Sequence, residues 1–90
     1  MGVEWDPDKA AANARKHGVD FADAAIALED PNSITVEDPD AVEEERYISM
    51  GMDPNGRILI TAFAFRDRKV RIISSRKASK QERRRYEEPK

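Results

Sequence analysis

The sequence predicts an α+β fold: a small antiparallel sheet with two N-terminal helices and a C-terminal helix. Three observations carry that reading. Two early stretches, bounded by Asp6-Pro7, Gly18 to Asp20 and Asp30-Pro31-Asn32, space their apolar residues as helices do. From Ile34 to Ser75 the spacing is that of strands, broken by Asp38-Pro39-Asp40, Asp53-Pro54-Asn55-Gly56 and Arg66-Asp67-Arg68. A polar, cationic segment with a helix-capping pattern follows. The 90 residues fit one domain, 1–90, with the expected order β-α-α-β-β-β-β-α.

Each element has a local reason. Val3-Glu4-Trp5 alternates apolar and polar as a short strand. Asp6 suits the N-cap and Pro7 the first helical position. That helix runs to about Lys16 and ends at Gly18, with Arg15, Lys16 and His17 in the last turn, where the dipole favours cations. Ala10, Ala14 and His17 share a face small enough to approach a sheet closely. Asp20 is the cap of a second helix whose stripe is Phe21, Ala24, Ala25 and Leu28. Ile34-Thr35-Val36 is a strand. In the next strand Ile48, Met50 and Met52 face one side, and Tyr47 and Ser49 the other. Residues 57–65 form the most apolar strand, which places it centrally. In the last strand Val70, Ile72 and Ser74 are expected on one face, and Arg71, Ile73 and Ser75 on the other. Ser79 and Glu82 form a capping box, and Pro89 stops the helix they open.

Composition narrows the chemistry. The chain is 39% hydrophobic and 38% charged, and its regular apolar spacing argues against disorder. It has no cysteine, which removes disulfides, thiolate chemistry and Cys-based zinc sites. Its single histidine rules out a His-rich metal site. Neither a membrane-length apolar run nor a signal-peptide core is present, so the expectation is a soluble, cytoplasmic protein. There is no Walker loop, dinucleotide fingerprint or nucleophile elbow, which leaves most enzyme classes unsupported.

Charge is divided along the chain. Residues 1–65 hold five Lys/Arg and fourteen Asp/Glu, whereas residues 66–90 hold eleven and four. Within 66–86 the net charge is +8 although the chain totals −2. Either two surfaces serve different partners, or acidic loops neutralise the basic segment internally. Arg71, Arg76, Lys77 and Arg83 suit a phosphate backbone, and Tyr86 can donate a hydrogen bond or stack on a base. The same cations would equally dock an acidic protein. His17 has the one side chain whose free pKa lies near neutrality, and it fits either a general acid or base or a plain helix C-terminal residue. Glu45 and Arg46 either reach a site at a strand end or form a surface ion pair. Trp5, Phe63 and Phe65 read as core rather than as base-stacking platforms.

Four stretches, VEWDPDKAAANARKHGVDF at 3–21, ERYISMG at 45–51, GRILI at 56–60 and RIISSRKASKQERRRYEE at 71–88, closely resemble the BrnT family of toxins from bacterial type II toxin–antitoxin modules. Ser75 stands where that family commonly has Ala. The resemblance implies a RelE-like fold and an mRNA interferase type of endoribonuclease that inhibits translation without a metal or other cofactor. It implies an antitoxin of the BrnA type, whose ribbon-helix-helix domain binds DNA, so that DNA is reached only through the antitoxin. Carried over position by position, His17, Glu45, Arg46, Arg76, Lys77 and Tyr86 are the expected catalytic set, and Lys16, Arg71, Glu82 and Arg83 the expected RNA-binding set. Within it Arg76 and Lys77 are expected to hold the transition-state phosphate, His17 or Glu45 to take the proton, and Arg46 and Tyr86 to orient the RNA. The alternative is a catalytically inactive module that pairs with an antitoxin or binds nucleic acid only.

Overall fold

The apolar strand of residues 58–66 does sit at the centre. The computed structural model describes residues 2–42 and 44–89. It contains β1 (Gly2–Glu4), α1 (Pro7–His17), α2 (Phe21–Ala27), β2 (Ile34–Glu37), β3 (Arg46–Met52), β4 (Ile58–Arg66), β5 (Lys69–Lys77) and α3 (Lys80–Glu87). The sheet order is β1-β5-β4-β3-β2. Strands β2 to β5 form an antiparallel meander, while β1 joins β5 in parallel, a pairing that the sequence reading left unplaced. Of the acidic run at 43–45, Glu43 lies outside the described residues.

Capping chemistry sets the helix ends. Asp6 accepts a hydrogen bond from the Asp8 N–H at 2.8 Å, with Pro7 at the first helical position. Gly18 closes α1 with φ 68°, a left-handed value that suits glycine, and its N–H bonds the Ala14 carbonyl at 2.9 Å. Asp20 corrects an expectation. It occupies the cap position of α2, but its side chain makes no capping bond; its backbone carbonyl accepts from the Asp23 and Ala24 N–H groups instead. In α3 the capping box is complete, with Ser79 and Glu82 exchanging 3.1 and 2.8 Å bonds.

The core lies between α1, α2 and one face of the sheet. Val19, Phe21, Ala24, Ala27, Leu59 and Ile72 are buried together, and Trp5, Ala10, Ala25 and Leu28 pack around them. Trp5 meets Phe21 edge-on, with ring centroids 6.1 Å apart. Gly51 permits the approach of α2 to β3, since a Cβ there would stand 2.3 Å from the Ala27 carbonyl oxygen. The β3–β4 turn is tied to both helices through Arg57, which bonds Asp53 at 2.7 Å, Asp23 at 3.3 Å and the Gly18 carbonyl at 3.2 Å. Burial of Asp53 works against its charge, yet the Arg57 N–H and guanidinium and the Asn55 N–H outweigh it and lower its pKa.

Two face assignments need correction. Phe65 is not core: it is 49% exposed and packs with Tyr47 and Phe63 in an aromatic cluster beyond the helices. The alternation expected in the last strand also breaks. Ala62 pairs with Ser74, but Phe63 pairs with Ile72, so β5 carries one extra residue there. This bulge keeps Ile72 and Ser75 buried on the helix side and turns Ser74 to the opposite, open face.

Candidate functional site

Register defines what the open face carries. Across the strands one row reads Val36, Ile48, Ala62, Ser74, and the next reads Ile34, Met50, Ile60, Arg76. A third row sets Arg46 and Arg71 on either side of Ala64, with Glu4 beyond Arg71. The face is therefore an apolar floor edged by three arginines. Arg71 pairs with Glu4 at 3.2 Å. Arg46 and Arg66 line a cavity of about 470 Å³ with Asp40, Ala41, Val42 and Glu44, and Arg66 reaches Glu44 at 3.3 Å. Part of the basic segment is thus neutralised by carboxylates from the acidic half, as one of the two readings of the charge split expected.

Helix α1 brings His17 to this face. Only residues 69–71 of β5 are paired by β1, so the edge of β5 is open further along. Asn13 takes that place. Its Nδ2 donates to the Ser75 carbonyl at 2.8 Å and to the Val19 carbonyl at 3.1 Å, and its Oδ1 accepts from the Ser75 N–H at 3.0 Å. His17 lies four residues on, one turn further along the same side of the helix. It lines a cavity of about 300 Å³ with Ile48, Ile60, Ala62, Ser74 and Arg76. Ser75 itself is buried, its hydroxyl 3.0 Å from that of Thr61.

Helix α3 closes the other side. Arg76 meets Glu82 through two bonds of 2.8 and 3.0 Å. These bonds, with the Ser79 N–H, bring the pKa of Glu82 down to about 2, and raise that of Arg76. Tyr86 donates its hydroxyl hydrogen to Asp30, whose carboxylate also accepts from the Met52 N–H at 2.8 Å and the Asn32 N–H at 2.9 Å. Burial first, and then the Asp30 carboxylate, push the Tyr86 pKa up to about 12. Glu82 and Arg85 lie over Ile34, Val36, Ile48, Met50 and Ile60. Among the described residues of α3 none is buried.

The expected residues are not all gathered in one place. His17, Arg76 and Glu82 meet around the open face. Arg46 and Arg71 flank the Ala64 row of that same face. The pleat sends Lys77 to the helix side, in register with buried Leu59. Glu45 precedes β3 and accepts a 2.8 Å bond from the Tyr47 hydroxyl, which raises the Tyr47 pKa. Lys16 and Arg83 are exposed. The sequence reading missed Asn13 and Ser74. A lone amide in an alanine-rich helix was the available sign for Asn13; nothing in the sequence pattern marked the bulge that exposes Ser74.

Comparisons with known proteins bear on the family and the fold. The family described as "Ribonuclease toxin, BrnT, of type II toxin-antitoxin system" matches residues 5–82. Among solved structures, the Brucella abortus ribonuclease toxin BrnT is similar with a TM-score of 0.65 and 28% identity, over 89% of this chain and 99% of that one. No curated protein matches significantly. The family match, with the likeness in fold, gives the class: a ribonuclease toxin of a type II toxin–antitoxin system. Within that class the chain belongs to the BrnT family. An antitoxin partner and an RNA target follow from the family in general terms. No described helix is long and apolar enough to cross a membrane.

Proposed function

We propose that the chain is a cytoplasmic, mRNA-cleaving endoribonuclease that acts without a metal and is neutralised by a BrnA-type ribbon-helix-helix antitoxin. The observation that supports this most is the meeting of His17, Ser74 and Arg76 around one cavity on the open face. An RNA 2′-hydroxyl placed there attacks the adjacent phosphorus. His17 takes its proton as the new P–O2′ bond forms and the bond to the 5′-oxygen breaks. The leaving 5′-oxygen takes a proton from water, and the imidazolium returns its own to solvent. The products are a 2′,3′-cyclic phosphate and a 5′-hydroxyl. Because the nucleophile belongs to the RNA, no metal-bound water is required.

Arg76 holds the pentavalent phosphate, where charge builds up and aligned donors count most. Glu82 keeps its guanidinium aimed before RNA arrives, and yields as the phosphate takes over. Arg46 and Arg71 hold flanking phosphates. Tyr86 acts at a distance by keeping α3 against Asp30. Lys77, on the other face, has no part in this set, and Glu45 serves Tyr47.

The test is RNA cleavage by the full chain in EDTA, with the product ends identified. Persistent cleavage with cyclic phosphate ends is expected, and its loss on removal of divalent ions contradicts the metal-free step. The antitoxin should be acidic where it covers these arginines, so its affinity should fall as salt rises. The bidentate Arg76–Glu82 pair favours a second reading, a binding-only module, because it already satisfies the central cation. Growth arrest with RNA fragmentation on induction separates the two, since the binding-only module leaves RNA intact.

A further inference from the structure

Asn13 is only 7% exposed in a helix whose other residues are mostly alanines and charged residues. A buried amide in such a helix needs partners, and all of its partners are backbone groups. Toward Ser75 it presents one donor and one acceptor, at 2.8 and 3.0 Å, as a neighbouring strand residue would. Toward the α1–α2 connection it gives its second hydrogen to Val19 at 3.1 Å. The orientation of the amide follows from those partners: two carbonyls face Nδ2 and one N–H faces Oδ1. One side chain therefore joins two segments 62 residues apart in sequence.

What those segments carry matters. His17 stands one helical turn beyond Asn13, and Arg76 directly follows Ser75. Both line the same cavity. His17 has no strand of its own to fix it, because β1 ends at its pairing with Arg71. Resting on the reading proposed above, we infer that Asn13 is a positioning residue for RNA cleavage: its amide replaces the missing strand at the β5 edge and sets the distance between His17 and Arg76. Asn13 touches no substrate. It holds the group that moves the proton against the group that holds the phosphate.

Apolar packing of α1 against the core would not do this. Ala10 and Ala14 allow the helix to slide along its axis, whereas a three-bond amide fixes both height and rotation. A displacement of about 1 Å at a reacting group is enough to cost about 100-fold in rate.

The test uses the full-length chain with Asn13→Ala, and Phe21→Leu as a core variant that lowers stability without removing the amide. His17 is the one histidine in the chain, so its imidazole Cε1–H gives a single NMR signal. With Asn13→Ala, below its melting transition, that signal should shift or broaden. Its kcat on RNA should fall about 100-fold, while KM changes by less than about three-fold. Phe21→Leu should leave both readouts near those of the unsubstituted chain. An unmoved imidazole signal in folded Asn13→Ala overturns the inference, and so does a loss of kcat that follows melting temperature equally in both variants. If Asn13→Ala does not fold, Asn13→Gln keeps the amide but displaces it by one methylene; an unmoved signal there is equally contrary. Full cleavage by His17→Ala would overturn the role proposed for His17, while the imidazole signal, read without RNA, would still decide what Asn13 does.

Discussion

Helix α1 packs on the core side of the sheet and α3 over the open face, and the two are held there by opposite means. In α1 the fastening is internal: a buried amide bonded to three backbone groups, caps at both ends, and a connection whose Val19 and Phe21 lie in the core. In α3 no described residue is buried, and its links include a capping box, an ion pair with Arg76 and the Tyr86–Asp30 bond. The first kind of attachment breaks only with the fold, whereas the second can open locally. His17 is thus carried by a firmly held helix, whereas α3, beside Arg76, is held by groups that RNA or protons can compete for.

The comparison is sharpest when the rigid side is damaged. Phe21→Ala should cost about 3–5 kcal/mol by chemical denaturation and weaken the whole chain, because it empties the centre of the buried cluster. Gly51→Ala should cost about 1–3 kcal/mol, since its methyl group meets the Ala27 backbone and forces α2 outward. On the other side Ser79→Ala removes a side-chain cap and should cost about 1 kcal/mol. Hydrogen exchange should place that loss in α3 alone, with β4 unaffected. Global acceleration of exchange in Ser79→Ala would mean that the two attachments are not separate.

The smallest effect is a pH window. The Glu82 pKa is lowered from 4.5 to about 2 on folding, so the stability it contributes is complete above 4.5 and is lost as pH falls toward 2. The Tyr86 pKa is raised from 10 to about 12, so its contribution is present below 10 and is lost as pH rises through 12. Chemical shifts of α3 should report release at both extremes, before those of α1 change. Both groups are partly solvated, so each effect is modest. Titration of both at their ordinary values would show that α3 is not docked as described.

Much of this arrangement was legible in the residues. Asp6-Pro7, Gly18 and the Ser79/Glu82 box act locally, so helix boundaries could be read from them directly. Strand β4 announced its central place by being apolar on both faces. What escaped was non-local. The parallel partner of β1 depends on how residues 65 or more positions apart meet. The β5 bulge sets Phe63 opposite Ile72 with no glycine to signal it. The β4–β5 turn was read from Arg66-Asp67-Arg68, but its left-handed geometry, with Asp67 and Arg68 at φ 51° and 65°, has neither glycine nor asparagine to signal it. At the site, the cationic residues were visible as a charge run, but alternate residues of a strand face opposite ways. One extra residue decides which of Ser74 and Ser75 is presented, and the adjacent cations Arg76 and Lys77 part company at the pleat.

That parting offers the most direct test of the central claim, that cleavage takes place on the open face between His17 and Arg76. Cleavage rates of the full chain should be compared for His17→Ala, Arg76→Ala and Lys77→Ala. The account predicts losses of about 100-fold or more for the first two. Lys77→Ala, equal in charge change to Arg76→Ala and adjacent to it, should stay within a few-fold of the unsubstituted chain. Full activity in Arg76→Ala, or a Lys77→Ala loss as deep as that of Arg76→Ala, would contradict the placement of the site on this face.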